Sequence, residues 1–191
     1  ALGTDTGGSI RQPASFNGVY GIKPTYGTAS RYGVVAMASS TDTMGCFARS
    51  AEDIAVVMNV MAGQDPKDMT TLPDFFAPAT EKPQRLKIGI INEAMGDGVD
   101  AEVCQAVSQY ADILRSHGHT VETVSMPMLQ HALAIYYIVV PAEISSNLAR
   151  YDGVRYGHRA EGVKTLVELY GRSRDEGFMP ENKRRIMIGS Y

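Results

Sequence analysis

The sequence predicts an α/β fold, a mixed sheet with helices on its faces, and three observations carry that expectation. Residues 86–124 read strand, helix, strand, the βαβ order that favours a largely parallel sheet. Helical apolar spacing begins after residue 50 and alternates with short apolar runs. Finally, 44% hydrophobic and 20% charged residues over 191 positions is ordinary globular usage, enough to build a core.

Each element has its own signal. Residues 1–49 are rich in glycine and poor in consecutive helix formers, so they read as loops and short strands, with a strand at 19–23 closed by Pro24 and Gly27. Ser50 followed by Asp53 is a helix-capping signal, Ile54, Val57, Met58 and Met61 then recur at helical spacing, and Gly63 ends the run. Residues 64–84, polar and aperiodic, read as a surface connection. A compact strand is predicted at 86–91. Asp100 caps a helix whose apolar face is Val103, Val107, Tyr110, Ala111 and Leu114, stopped by Gly118, and a second strand follows at 119–124. Residues 130–149 read as a helix that Pro141 should break or kink, and 160–171 and 180–191 as two more. The methionine-rich stretch 37–69 reads as core filler.

Charge and cysteine usage narrow the function classes. The formal charge of −3 argues against wholesale nucleic-acid coating. The basic bias is local: residues 150–191 hold nine Lys+Arg against six Asp+Glu, which reads as a solvated face before it reads as a docking surface. The longest apolar run, 135–142, falls well short of the roughly 18 residues of a membrane span, and the first twenty residues lack a signal-peptide pattern. Cys46 and Cys104 are too few for a disulfide framework and too far apart for a CxxC site, and His117-Gly118-His119 offers too few ligands for a metal. The expectation is a reduced, cytoplasmic protein with no membrane partner and no metal. The chain opens inside a dense motif and closes inside a helical pattern, so a piece of a longer protein is expected.

The stretch with chemistry in it is Gly3-Thr4-Asp5-Thr6-Gly7-Gly8-Ser9-Ile10-Arg11. It lacks the Gly-Lys-Ser/Thr ending of a P-loop, and Arg11 stands where a nucleophile elbow needs its second glycine. Two glycines before a serine can let backbone N–H groups converge on a developing oxyanion, donors worth roughly 3–4 kcal/mol each in a working site. Asp5 and Arg11 are spaced to brace the loop by an ion pair. On spacing alone an ordinary turn is the better explanation of the stretch. A serine also needs a base: the four histidines are distant in sequence, and Lys23, the nearest lysine, reads as structural.

The run GTDTGGSIRQPASFNGVYGIKPTYG resembles the amidase signature family. That resemblance implies Ser9 as the acyl-ester nucleophile and an oxyanion hole formed by the N–H groups of Thr6, Gly7, Gly8 and Ser9. It also implies a Ser–cis-Ser–Lys triad whose other two members precede the nucleophile in segments this chain does not contain. Residues 1–191 are then one partial amidase signature domain, expected to be inactive alone. The stretches SRYGVVAMASSTDTMG, SSNLARYDGVRYGHRAEG and EGFMPENKRRIMIGSY resemble, within the family, the A subunits of glutamyl/aspartyl-tRNA amidotransferases. That branch implies glutamine as substrate and B and C subunits as partners. It implies no cofactor in this chain, ATP and Mg being used by the B subunit, and misacylated tRNA reached through the complex. Tyr136, or alternatively Tyr137, and Arg185 fall where that branch holds glutamine, a guanidinium fork suiting its α-carboxylate. Cys46 replaces a usual proline, Thr28 a usual arginine, and Asn17 and Tyr20 small or thiol residues; these bear on substrate preference. A free-standing amidase on a small carboxamide, and a catalytically dead interaction module, stand as alternatives.

Overall fold

The computed structural model describes residues 1–73 and 84–191. Two compact units result, one from Ala1–Pro78 with Tyr136–Tyr191 and one from Ala79–Ile135.

In the first unit, β1 (Leu2–Asp5), β2 (Tyr20–Ile22) and β3 (Thr43–Ala48) form a three-stranded sheet with β3 in the centre. Both pairings are antiparallel, with Asp5 opposite Thr43 and Ile22 opposite Cys46. The largely parallel pairing expected from the βαβ pattern therefore does not extend to this sheet. Because β1 and β2 are both antiparallel to β3, they run parallel to one another, joined by a crossover that holds the six-residue α1 (Arg11–Phe16), with β3 inserted between them. Ile10, fully buried, sits over the sheet where Gly3 and Gly45 leave room for it.

Helix α2 (Ala51–Met61) starts as the sequence predicts: Ser50 Oγ accepts from the Asp53 N–H at 3.1 Å. Ile54 and Met58 pack on Cys46, which is fully buried and serves as a small core residue. Met69, by contrast, is exposed rather than core filler.

Residues 64–73 correct the surface-connection reading. Asp68 is buried there, accepting from the Arg31 and Thr70 N–H groups at 2.8 and 3.0 Å and from Thr70 Oγ1 at 2.6 Å. Burial works against its ionisation, yet the Thr70 hydroxyl and these N–H groups hold its carboxyl well below the usual range. The rest of that stretch up to residue 83 lies outside the described residues.

Three helices complete the unit, the first of them from Tyr136 onward. In α4 (Ala132–Leu148) Pro141 lies inside without ending the helix. Val140 and Ile144 form a small core with Ala38. With the helical turn Pro127–His131 before it, this helix is long and apolar enough by composition to cross a membrane, more than the apolar run counted in the sequence. Polar side chains in its second half are nevertheless committed to a loop of the same unit, as described below. Helix α5 (Leu166–Gly177) begins later than predicted, because Thr165 caps it by accepting from the Glu168 N–H at 3.1 Å, and Gly162 (φ +66°) interrupts the stretch before it. Helix α6 (Pro180–Ser190) crosses α4 at backbone contact: a Cβ on Gly189 would collide with the Pro141 carbonyl oxygen.

The second unit is the predicted βαβ. Strands β4 (Lys87–Ile91) and β5 (Thr120–Val124) pair in parallel, with Ile88 opposite Val121. Between them runs α3 (Ala101–Ser116), capped by Asp100 Oδ1 at 2.8 Å from the Glu102 N–H. Val107, Tyr110, Ala111 and Leu114 face Ile88, Ile90 and Val121 across an apolar groove.

Candidate active site

Where β1 ends, one carboxylate organises the turn. Asp5 is fully buried. Its Oδ1 accepts from the Gly8 N–H at 2.7 Å and from Arg11 Nη2 at 3.0 Å, and its Oδ2 from Arg11 Nε at 3.0 Å and the Ile10 and Arg11 N–H groups at 3.1 and 3.3 Å. Burial alone would raise this carboxyl's pKa. The Arg11 fork and the three backbone donors outweigh that and hold it far below the usual carboxylate range. Gly8 has φ +113°, a conformation that only glycine adopts without strain.

This geometry changes one assignment made from sequence. The Gly8 N–H, expected to face an oxyanion, is spent on Asp5. The N–H groups of Gly7 and Ser9 have no hydrogen-bond partner among the described residues, and Thr6 lies just past the last ladder pair, Asp5 with Thr43. Ser9 itself is exposed.

A second buried carboxylate, which sequence reasoning missed, fastens the same turn to the cavity wall. Asp42 accepts from Thr6 Oγ1 at 2.6 Å, from the Met37 N–H at 2.8 Å and from the Ala38 N–H at 3.1 Å. The loop it closes is tied in turn to α4. Asn147 Nδ2 donates to the Met37 carbonyl at 3.1 Å, and Glu143 accepts from the Ser40 N–H at 3.0 Å and from the Ser40 hydroxyl. The available signal was Asp42 within SSTDTMG, an acidic residue in a run of small hydroxyl residues, which favours side-chain-to-backbone bonding.

Ser9 opens onto a cavity of about 440 Å³ that Val35, Met37, Tyr136, Glu181 and Arg185 also line. The structure thus brings Ser9, Tyr136 and Arg185 to one space. Of the two tyrosines left open by the sequence, Tyr136 lines the cavity; Tyr137 stands edge-on to it, ring centroids 5.3 Å apart. The Tyr136 ring lies against the turn, so a Cβ on Gly7 would collide with its Cε2 edge. Its hydroxyl accepts from Arg185 Nη1 at 3.3 Å, and Arg185 Nε donates to Glu181 Oε1 at 2.8 Å. Arg184 grips both oxygens of the same carboxylate at 2.8 Å. The two guanidiniums, Arg184 first and Arg185 second, bring the Glu181 carboxyl down to about 2.

Among the cavity's lining residues there is no lysine or histidine. Lys23 Nζ donates to the Pro24 carbonyl at 2.9 Å, and His158 pairs with Glu176 at 2.8 Å. The cavity therefore presents a serine hydroxyl, backbone N–H groups without partners among the described residues and a cationic end, with no lysine or histidine in its lining.

The family model named Amidase matches residues 1–191, the whole of this sequence. The chain belongs to the amidase family. Within that family it is 52% identical over 195 residues to the A subunit of a glutamyl-tRNA(Gln) amidotransferase from Carboxydothermus hydrogenoformans, covering 100% of this chain and 40% of the relative. It is 53% identical to the corresponding A subunit from Granulibacter bethesdensis, covering 39% of it. The crystal structure of the Thermotoga maritima glutamyl-tRNA(Gln) amidotransferase A subunit superposes with a TM-score of 0.70 at 35% identity, over 100% of this chain and 37% of that one. The amidase chain described here thus spans about 40% of the length of the curated relatives it matches. Its α/β architecture is the amidase-family fold in part.

Proposed function

We propose that the chain carries the nucleophilic part of a glutaminase, within the A subunit of a glutamyl/aspartyl-tRNA amidotransferase. One observation supports this most: Ser9 shares a cavity with an Arg185–Tyr136 pair, in a sequence about half identical to A subunits along its whole length. In this reading the α-carboxylate of glutamine rests on the Arg185 guanidinium, which puts the side-chain amide toward the Gly7–Ser9 turn. Ser9 Oγ attacks that amide carbon. The N–H groups of Gly7 and Ser9, with Thr6 beside them, receive the developing oxyanion, while Gly8 keeps the turn in shape through Asp5. Collapse expels ammonia and leaves a glutamyl ester on Ser9, which water hydrolyses.

The proton acceptor is proposed to be the second serine and lysine of the family's triad. The ammonia is consumed by the B subunit, which uses ATP and Mg to activate the misacylated tRNA, with the C subunit completing a cytoplasmic complex.

The test is Ser9→Ala in the full-length protein, assembled with its partners. Glutamine-dependent ammonia release should fall by at least about 10⁴-fold, while tRNA amidation driven by added ammonium persists. Loss of both activities together would make Ser9 structural. Glutamine turnover by the full-length protein without any partner, indifferent to tRNA, would favour a free-standing amidase.

A further inference from the structure

The ligand end of the cavity contains a residue that the reaction scheme leaves without a task. Glu181 lines the same space as Ser9 and Arg185. It sits one helical turn before Arg185 on α6, and takes hydrogen bonds from both Arg184 and Arg185. A guanidinium can present more than one pair of N–H groups, and four rotatable bonds let it aim them in many directions. Here Nε is held by Glu181 and Nη1 leans on the Tyr136 hydroxyl, so that Nη2 has no partner among the described residues.

The charges count the same way. One carboxylate shared by two guanidiniums leaves a single positive charge uncompensated at this end of the cavity, enough for one ligand carboxylate. An exposed acid–base pair on one helix contributes little to folding, so stability does not account for the arrangement.

We infer that Glu181 is a positioning residue for substrate recognition: it fixes Arg185 by its Nε edge and turns the terminal nitrogens toward an α-carboxylate. Binding then proceeds without first immobilising a long side chain, and amides bearing a carboxylate at the far end are favoured over those lacking one. This rests on the glutaminase function proposed for the same cavity.

The experiment uses the full-length protein in its assembled complex and compares two substrates, glutamine and 4-aminobutanamide, which keeps the primary amide and the amine but lacks the α-carboxylate. For the unmodified complex kcat/KM should favour glutamine strongly. Glu181→Ala should lower the glutamine-to-4-aminobutanamide ratio by about 10-fold or more, through KM for glutamine rather than kcat. Glu181→Gln, which retains an acceptor oxygen of the same reach, should restore part of the ratio and covers the case in which the alanine variant folds poorly. An unchanged ratio, or equal losses for both substrates, overturns the inference and leaves the glutaminase function standing. No preference for glutamine in the unmodified complex would instead overturn the glutaminase function, and this inference with it.

Discussion

The two ends of the Ser9 cavity are built on opposite plans. At the reacting end, the buried Asp5 carboxylate takes five hydrogen bonds and fixes the Gly7–Ser9 turn. At the ligand end, Arg185 is about one-third exposed and held by Glu181, which is exposed too. In the proposed glutaminase the first plan spends burial and hydrogen bonds on a geometry that must not vary, because donors aimed at a developing oxyanion work only if they need no reorganisation. In the proposed glutaminase, the second holds a cation by one edge and leaves Nη2 for a ligand carboxylate. If the proposed function holds, reaction geometry is built into the core and recognition is left near solvent.

Substitutions can break or sharpen that contrast. Asp5→Asn should have the largest effect: a neutral amide cannot satisfy Arg11 and three N–H donors, so stability in urea should fall by about 3 kcal/mol or more. The same carboxylate gives the contrast a pH signature. Its folded pKa lies below its unfolded value of 3.8, so its contribution is fully present above that value and is lost as the pH falls through and below it. The stability gap between the unmodified protein and Asp5→Asn should therefore be constant from pH 7 to 5 and narrow below about pH 4.

Gly7→Ala comes next, costing about 1–3 kcal/mol by overpacking against Tyr136, with ammonia release falling more than the melting temperature alone explains. The smallest effect on folding should come from Arg185→Lys. There KM for glutamine should rise about 10-fold with kcat nearly kept, since the charge remains and the fork is lost. If Arg185→Lys lowered stability as much as Asp5→Asn, the two ends would not differ in kind.

Local signals were the legible ones. The Ser50–Asp53 cap, the βαβ unit and the Asp5–Arg11 pair each depend on residues close in sequence or on a repeating apolar pattern, and each is found where the sequence puts it. The antiparallel sheet was not legible, because β3 meets β1 across roughly forty residues of loop, short helix and the three-residue β2, with no periodicity to mark the partner. Buried aspartates were missed for a related reason. Asp42 and Asp68 look like solvated loop residues by composition, and only the folded backbone shows which N–H groups turn toward them. The late start of α5 was readable after all: Thr165 and Glu168 have capping spacing, a signal that the polar residues from 160 onward obscure. Within the site, it was the family resemblance, not spacing, that pointed to Ser9, Tyr136 and Arg185, and neither could show that the Gly8 N–H is already taken.

The crossing of α4 and α6 at Pro141 and Gly189 has a mechanical corollary. Tyr136 stands five residues before Pro141 on one helix and Arg185 four residues before Gly189 on the other, so both project from a common fulcrum by little more than one turn. The spacing between those two side chains is thus set by a backbone contact to which Gly189 brings no side chain, and any larger residue at 189 would push the helices apart.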